Sequence, residues 1–266
     1  MQIWAHGSTV LVVGMHAPRA PLDKSIIATE ISHYWRVSVV DLTTSTQSDL
    51  AELVNSTVAI SGEVIAADYQ SAGRGRLDRT FEAPPQSALL FSFYVTPKRK
   101  KEEWSFISFL AALAMQNVIS EYLSEPVTLK WPNDILIGDR KVAGLLAQQI
   151  GDGVIVGIGL NVSISNEELP VPTATSLLIA GSKKMDRNLI LSEFLNYFEQ
   201  IFSQWEAGEN FIEQYENVCS TIGREIKVEI LGRDPVMGKA VAISDHGALI
   251  LGDGTQINVG DVVHLR

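Results

Sequence analysis

The chain has 266 residues, of which 46% are hydrophobic and 20% charged, and its 31 acidic side chains outnumber 21 basic ones to give a net charge of −10. This composition predicts a globular protein with a sizeable core and excludes a disordered or low-complexity chain. The acidic balance also disfavours a protein that holds nucleic acid through a broad basic face, because such binding needs clustered Lys and Arg.

The N-terminus holds an apolar stretch over residues 8–15 with no Lys or Arg before it, so it lacks the pattern of a secretory signal. We hypothesise that translation begins at Met15, which an intact mass that retains Met1 would contradict. Over 21–35, the apolar spacing predicts a short amphipathic helix, which is too small for a DNA-reading domain. Residues 1–35 are therefore expected to form an extension with a short helix.

The next segments predict a strand, a turn and a helix. Residues 37–42 form the strand, and Thr46 with Asp49 has the form of a capping box that begins the helix. Two further strands are predicted over 63–68 and 88–95, and residues 71–81 form a glycine- and arginine-rich loop between them.

A buried helix is predicted over 104–120, which is too short and too polar for a membrane span of about 20 residues. Four short strands with tight turns follow and predict a mixed or antiparallel sheet: 127–131, 135–137, 141–149 and 154–163. Apolar side chains at steps of three and four predict a long helix over 189–205.

Beyond residue 223, brief strands separated by glycine turns predict a small SH3-like β-barrel. The predicted fold class is thus α+β, with a mixed or antiparallel sheet packed with helices. We expect a main domain over 36–222 and the barrel over 223–266. The only cysteine, Cys219, has no disulfide partner within the chain and suits a reducing cytoplasm.

Four common site patterns fail in this chain. Five residues separate Gly232 from Gly238 where a phosphate loop has four, and Asp78 stands at the third glycine position of a dinucleotide fingerprint that begins at Gly73. The five histidines are isolated, so no zinc site is expected. No Gly-x-Ser-x-Gly elbow for a nucleophilic serine exists either.

A distributed set of cations remains. Three arginines of one loop, Arg74, Arg76 and Arg79, are interleaved with glycines that let backbone amides approach a ligand closely, which suits a loop that wraps a polyanion. The same loop alone also fits a solvated surface loop. Lys130, Asn133 and Asp134 flank Trp131 and Pro132, and Lys141 follows; the Pro132 segment alone also fits an ordinary turn.

Five blocks of this sequence, taken in order, resemble biotin protein ligases: residues 44–47, 69–79, 129–134, 141–146 and 157–162. The resemblance covers nearly the whole chain after about residue 35. It implies the sheet-and-helix catalytic fold with a terminal SH3-like barrel, and the monofunctional class without a DNA-binding domain.

The resemblance implies an ATP-dependent reaction. Biotin attacks the α-phosphate of ATP to give biotinyl-5′-AMP, and a lysine of a biotin carboxyl carrier domain then takes the biotin. Mg²⁺ is expected mainly on the phosphates, and no metal ligands of the chain are assigned. The implied partner is the carrier domain of a carboxylase, with no DNA or membrane partner, and the enzyme would be a monomer or homodimer.

Site residues follow from the same resemblance, residue by residue. The implied catalytic residues are Lys141, Arg74 and Arg76. The implied biotin-binding residues are Ser45, Thr46, Gln70, Gly73, Arg74, Lys141, Gly144, Gly157 and Gly159. The implied ATP-binding residues are Arg76, Arg79, Phe81, Lys130, Asn133, Asp134, Lys141 and Asn161.

Two residues depart from the family pattern. Asp78 stands where the family usually has Gly, which places a negative charge beside the arginines and predicts weaker loop ordering or nucleotide affinity. Phe81 replaces the usual Trp, keeping an aromatic face and losing the indole donor. Alternative functions are a lipoate or octanoate ligase or transferase of the related fold, against which the Gly-Arg-Gly-Arg loop argues, and a catalytically weak biotin-binding module impaired by Asp78.

Overall fold

A computed structural model describes residues 19–56, 59–76 and 79–265. Asp78 and Met15, which the expectations on loop ordering and on the start of translation concern, lie outside these residues. The described part contains a seven-stranded sheet in the order β1-β2-β3-β7-β6-β5-β4. Its strands are β1 Arg36–Val40, β2 Glu63–Ala67, β3 Ala88–Val95, β4 Val127–Lys130, β5 Asp134–Ile137, β6 Arg140–Ile150 and β7 Gly153–Asn161. Because β1 and β2 are parallel while the other neighbours are antiparallel, the sheet is mixed.

Helices cover both faces of this sheet: α1 Lys24–Glu30, α2 Thr46–Asn55, α3 Ile107–Ser120, α4 Arg187–Glu206 and α5 Ile212–Val218. Helices α3 and α4 pack against each other over the main core, and α4 lines one face with Phe194, Phe198 and Phe202. Helix α2 covers the opposite face through Leu50, which packs with Tyr94 and Ile155. No helix in the described ranges is long and apolar enough to cross a membrane.

A second, antiparallel sheet follows in the order β11-β10-β9-β8-β12. Its strands are β8 Glu225–Glu229, β9 Val236–Ile243, β10 Leu249–Leu251, β11 Gln256–Ile257 and β12 Asp261–His264. Ile226 and Leu249 belong to the same apolar cluster as the main core, and the Trp131 indole donates to the Gly247 carbonyl at 3.0 Å. The α+β fold class is therefore confirmed, while the domain boundaries at 35/36 and 222/223 stay predictions.

The predicted capping box at the start of α2 is wrong. Ser45 is the N-cap, and its side chain makes no capping hydrogen bond. The Asp49 carboxylate instead accepts from the Thr43 hydroxyl at 2.6 Å. The Thr46 amide and hydroxyl both donate to Gln70 Oε1, at 2.7 and 3.0 Å. The Thr46 amide and hydroxyl thus bond to Gln70, which is distant in the sequence, and not to a capping group in the first turn of α2.

Candidate active site

A cleft lies over the α2 face of the large sheet, between the first turn of α2 and the loop that carries the arginines. It collects residues that are far apart in the sequence. The predicted site residues that line it are Ser45, Thr46, Gln70, Arg74, Arg76, Arg79, Phe81, Asn133, Asp134, Lys141, Gly144, Gly157 and Gly159. Three predicted residues, Gly73, Lys130 and Asn161, do not line it.

Buried polar groups form one end of the cleft. Ser45 and Gln47 are 2% and 3% exposed, and neither Ser45 Oγ nor Gln47 Nε2 has a hydrogen-bond partner among the described residues. Gln47 Oε1 accepts from the Ser92 hydroxyl at 3.2 Å. Buried polar atoms without partners are costly. This end of the cleft is therefore suited to a ligand that both donates and accepts hydrogen bonds.

Strand glycines form the floor of the cleft. Gly157 lies opposite Ser92 in β3, and Gly159 lies opposite Gly144 in β6, all on one face. A Cβ on Gly157 would lie 2.5 Å from Gln47 Oε1, and one on Gly159 would lie 2.7 Å from the Phe81 ring. Because both distances are too short for a Cβ, side chains here would displace the groups that line the cleft.

Residues 73–76 and 79–81, here called the arginine loop, form a hairpin-like cover. The Gly75 amide donates to Arg79 O at 2.7 Å, and the Phe81 amide donates to Gly73 O at 2.9 Å. A Cβ on Gly73 would lie 2.5 Å from Phe81 O, so this glycine allows the two arms to approach. Gly73 therefore affects the shape of the arginine loop without lining the cleft.

Side chains of the arginine loop reach two other parts of the molecule. Arg76 donates to Asn133 Oδ1 at 2.9 Å and to the Gly260 carbonyl at 3.3 Å. Arg79 forms an ion pair with Asp261, the first residue of β12. The second sheet thus contributes a carboxylate to the cleft, which sequence reasoning missed.

Fixed charges of both signs meet in the cleft. Lys141 Nζ lies 2.6 Å from Asp134 Oδ1. Burial lowers the pKa of the Arg76 guanidinium, and the nearby carboxylates of Asp261 and Asp134 partly oppose this shift. Since the ordinary pKa of arginine lies far above neutrality, Arg76 remains a cation. Several fixed cations beside two carboxylates can hold an anionic ligand that competes for them.

Lys130 and Asn161, both predicted to bind ATP, lie outside the lining of the cleft. The Asn161 amide is buried and donates to Thr175 O at 2.9 Å, which ties down the segment after β7. Lys130 ends β4 in register with Asp134. Direct contact of Lys130 and Asn161 with a nucleotide stays a prediction.

Comparison with known proteins agrees with this architecture. Residues 39–165 match the family described as "Biotin/lipoate A/B protein ligase family", and residues 221–265 match "Biotin protein ligase C terminal domain". The chain is 36% identical over 260 residues, 93% of its length and 97% of the relative's, to a "Biotin--[acetyl-CoA-carboxylase] ligase" of Mycobacterium tuberculosis.

A bifunctional ligase/repressor of Bacillus subtilis is 32% identical over 221 residues, which are 79% of this chain and 67% of that protein. Among solved structures, a biotin protein ligase from Aquifex aeolicus in complex with biotin and ATP superposes with a TM-score of 0.73 at 29% identity. That match covers 87% of this chain and 99% of the other.

Proposed function

The chain belongs to the biotin protein ligase family, and on that premise we propose that it is an ATP-dependent enzyme that activates biotin as biotinyl-5′-AMP and transfers it to a lysine of a biotin carboxyl carrier domain. The observation that carries this proposal is one cleft in which unpartnered buried polar groups lie at one end and fixed cations at the other. Biotin has the matching chemistry, with a neutral polar ring at one end and a carboxylate at the other.

We assign the ureido ring of biotin to the end at α2. The ring presents a carbonyl and two N–H groups, each of which needs a partner once it is buried. Ser45 Oγ and Gln47 Nε2, which have no partners, can donate to the carbonyl, and Gln47 Oε1, which accepts from Ser92, can accept a further bond from a ring N–H. Gly157 leaves room for the ring above β7 because no Cβ intrudes there.

The carboxylate and the phosphates belong at the cationic end in this assignment. A carboxylate oxygen of biotin bonds to the α-phosphorus, the bond from that phosphorus to the bridging oxygen breaks, and pyrophosphate leaves. Both reactants are anions, so Lys141, Arg74 and Arg76, which line the cleft, serve by neutralising their charge. Phe81 provides the aromatic surface for the adenine.

In the second step, the carrier lysine nitrogen bonds to the activated carbonyl carbon. The carbon–oxygen bond to the phosphate breaks, AMP leaves, and the amine releases its proton. The arginine loop would limit the access of water to the mixed anhydride until the lysine arrives. This role is supported by the fastening of the loop to Asn133 and Asp261.

Magnesium fits this cleft as an ion bound to ATP. No group of three or more potential metal-ligating His, Cys, Asp or Glu side chains occurs in the described ranges, so these residues offer no cage for a resident ion. Asp134 and Asp261 supply carboxylate oxygens, the ligand type that Mg²⁺ prefers. When bound on the phosphates, the ion neutralises charge on the leaving pyrophosphate.

We further propose that the partner is a carrier domain of a carboxylase, consistent with the name of the Mycobacterium relative. The net charge of −10 supports a chain without a DNA-binding role, and its cysteine content supports a cytoplasmic location. Either a monomer or a homodimer is compatible with this function. The match of residues 221–265 to a domain described for biotin protein ligases favours biotin over lipoate or octanoate.

Transfer of biotin to a carrier domain tests the proposal. Purified protein, ATP, Mg²⁺ and biotin are incubated with a purified carrier domain, whose mass should rise by one biotinyl group. A carrier domain whose acceptor lysine is replaced by arginine should gain nothing, and a lipoyl domain with lipoate should remain unmodified. Modification of the lipoyl domain alone would move the chain to the lipoate ligases.

A further inference from the structure

The segment that follows β7 lies beside the candidate active site. Residues 163–174, here called the β7 loop, begin where the Ser163 amide donates to Ser87 O at 2.8 Å. At the far end, Thr173 O accepts from the Lys141 amide at 2.9 Å, and the Thr175 amide donates to Lys141 O at 2.8 Å. The end of the β7 loop therefore holds the backbone of a proposed catalytic lysine.

The middle of the β7 loop faces the arginine loop. Glu168 and Pro170 line a second pocket together with Gly73, Thr80 and Phe81. Residues 170–173 are exposed, so this stretch is not held in place by burial. Ile164 and Ala174 are buried near the two ends of the β7 loop, so polar contacts must position its exposed middle.

Arg19 makes such contacts from the N-terminal side. Its guanidinium donates to Ser163 O at 2.8 Å and to Glu168 Oε2 at 2.5 Å. The same carboxylate oxygen accepts from the Ser165 amide at 2.9 Å. The Arg19 and Glu168 side chains are only 17% and 21% exposed, which strengthens a charged hydrogen bond relative to one in water.

The backbone that carries Arg19 is itself firmly held. Arg187 donates to Ala20 O at 2.7 Å, and the Leu22 amide donates to Asp68 Oδ1 at 3.0 Å. Arg187 and Asp68 form a buried ion pair at 2.6 Å, so both anchors belong to one rigid cluster. Arg19 thus extends from a fixed support to two points of the β7 loop.

We propose that Arg19 is a positioning residue that holds the β7 loop in place beside the arginine loop and thereby retains ATP and the adenylate in the cleft. The proposal rests on the ligase function proposed above. A mixed anhydride must be kept from water and from early release, and a loop that opens more often loses it faster. Arg19 is assigned no contact with the reacting atoms.

Arg19→Ala tests this role. We expect the KM for ATP to rise roughly tenfold, in line with the loss of a charged hydrogen bond. Biotinyl-AMP bound without an acceptor should escape or hydrolyse faster by a similar factor, while kcat at saturating ATP changes less than twofold. Arg233→Ala, an exposed arginine in the turn between β8 and β9, is the matched control and should change none of these values.

Two further variants separate this role from a general loss of structure. Arg19→Lys keeps one charged contact and should restore part of the adenylate lifetime. Glu168→Gln leaves the hydrogen bond from Arg19 to the Ser163 carbonyl in place, so it should shorten the adenylate lifetime less than Arg19→Ala does. An unchanged KM and adenylate lifetime in folded Arg19→Ala would overturn the proposal, as would a loss confined to kcat. If Arg19→Ala does not fold, an unchanged adenylate lifetime in Glu168→Gln overturns it. A wild-type protein that forms no biotinyl-AMP contradicts the ligase function instead.

Discussion

Arg79 of the arginine loop forms an ion pair with Asp261 of β12 across the mouth of the cleft. The pair joins a loop of the large sheet to the second sheet. Asp261 is mostly buried there, while Arg79 is largely exposed. The second sheet therefore belongs to the architecture of the active site, because one of its residues holds the cover of the cleft.

Replacing Asp261 should loosen the arginine loop. We expect Asp261→Ala to raise the KM for ATP about two- to fivefold, the size that an exposed ion pair allows. The KM for biotin should stay unchanged, since the polar end of the cleft lies at α2. Steady-state adenylation kinetics measure both values, with the exposed Asp234→Ala as control. A rise in the KM for biotin alone would contradict this assignment.

Removing the cleft cations should stop adenylation without unfolding the protein. Lys141→Ala and Arg74→Ala should each lower biotin-dependent adenylation by about a hundredfold or more, the usual cost of losing a fixed stabilising charge. Stability should change little, because the Lys141 side chain is 41% exposed. Circular dichroism checks the fold, and the exposed Lys98→Ala should retain activity. Wild-type rates in either variant would refute the site assignment.

The two floor glycines should affect different substrates. Gly157→Ala drives a Cβ towards Gln47 and should raise the KM for biotin. The resemblance implies a biotin contact for Gly159 as well, but a Cβ there collides with the Phe81 ring, so Gly159→Ala should raise the KM for ATP. Kinetics with each substrate varied in turn measure the split. Equal effects of both glycine variants on both substrates would argue against the proposed orientation.

The buried ion pair between Arg187 and Asp68 should be important for folding. Arg187 also donates to Ala88 O and Ala20 O, so its removal leaves a buried carboxylate without its charge partner. Arg187→Ala should lower the free energy of unfolding by about 3–5 kcal/mol. Urea denaturation measures it. Lys227→Ala, which breaks an exposed pair with Glu229, should cost less than about 1 kcal/mol.

His264 should make the protein less stable in mild acid. Burial and then the charges of Lys130 and Arg224 lower its pKa from 6.5 to about 4. Because Arg224 donates to Nδ1, the neutral ring donates from Nε2 to the Thr221 hydroxyl oxygen, 3.1 Å away. Between pH 6.5 and about 4 the unfolded chain binds a proton that the folded protein does not, so stability falls as the pH is lowered.

Urea midpoints at pH 7.5, 6 and 5 check this dependence. His264→Gln keeps a side-chain amide for hydrogen bonding and should show a shallower loss of stability over the same range. Identical pH slopes for the wild type and His264→Gln would show that other groups cause the loss.

Periodicity predicted most of the fold because burial on one face leaves a repeating pattern. The bounds of β3 agree with the strand predicted over 88–95, and the glycine turns separate β5 from β6 and β6 from β7. The start of α2 was predicted wrongly because Gln70, distant in the sequence, takes the Thr46 donors. Local capping patterns contain no information about such tertiary partners.

The motif blocks predicted most residues that line the cleft, and the residues that they missed had weak signals. Ser92 is the one small polar residue in an otherwise apolar, fully buried strand, and this contrast could have identified it from the sequence. Asp261 follows a turn like many other surface acids, and only the packing of the second sheet brings it to Arg79. The backbone contacts of Lys141 with residues 173 and 175 likewise depend on how the β7 loop closes.

The most direct test of the central claim is exchange of labelled pyrophosphate into ATP by the purified protein with Mg²⁺, comparing biotin, lipoate and octanoate as the acid. The account predicts exchange with biotin alone and none when the acid is omitted. Exchange that depends on lipoate or octanoate, or measurable biotin binding without any exchange, would contradict it.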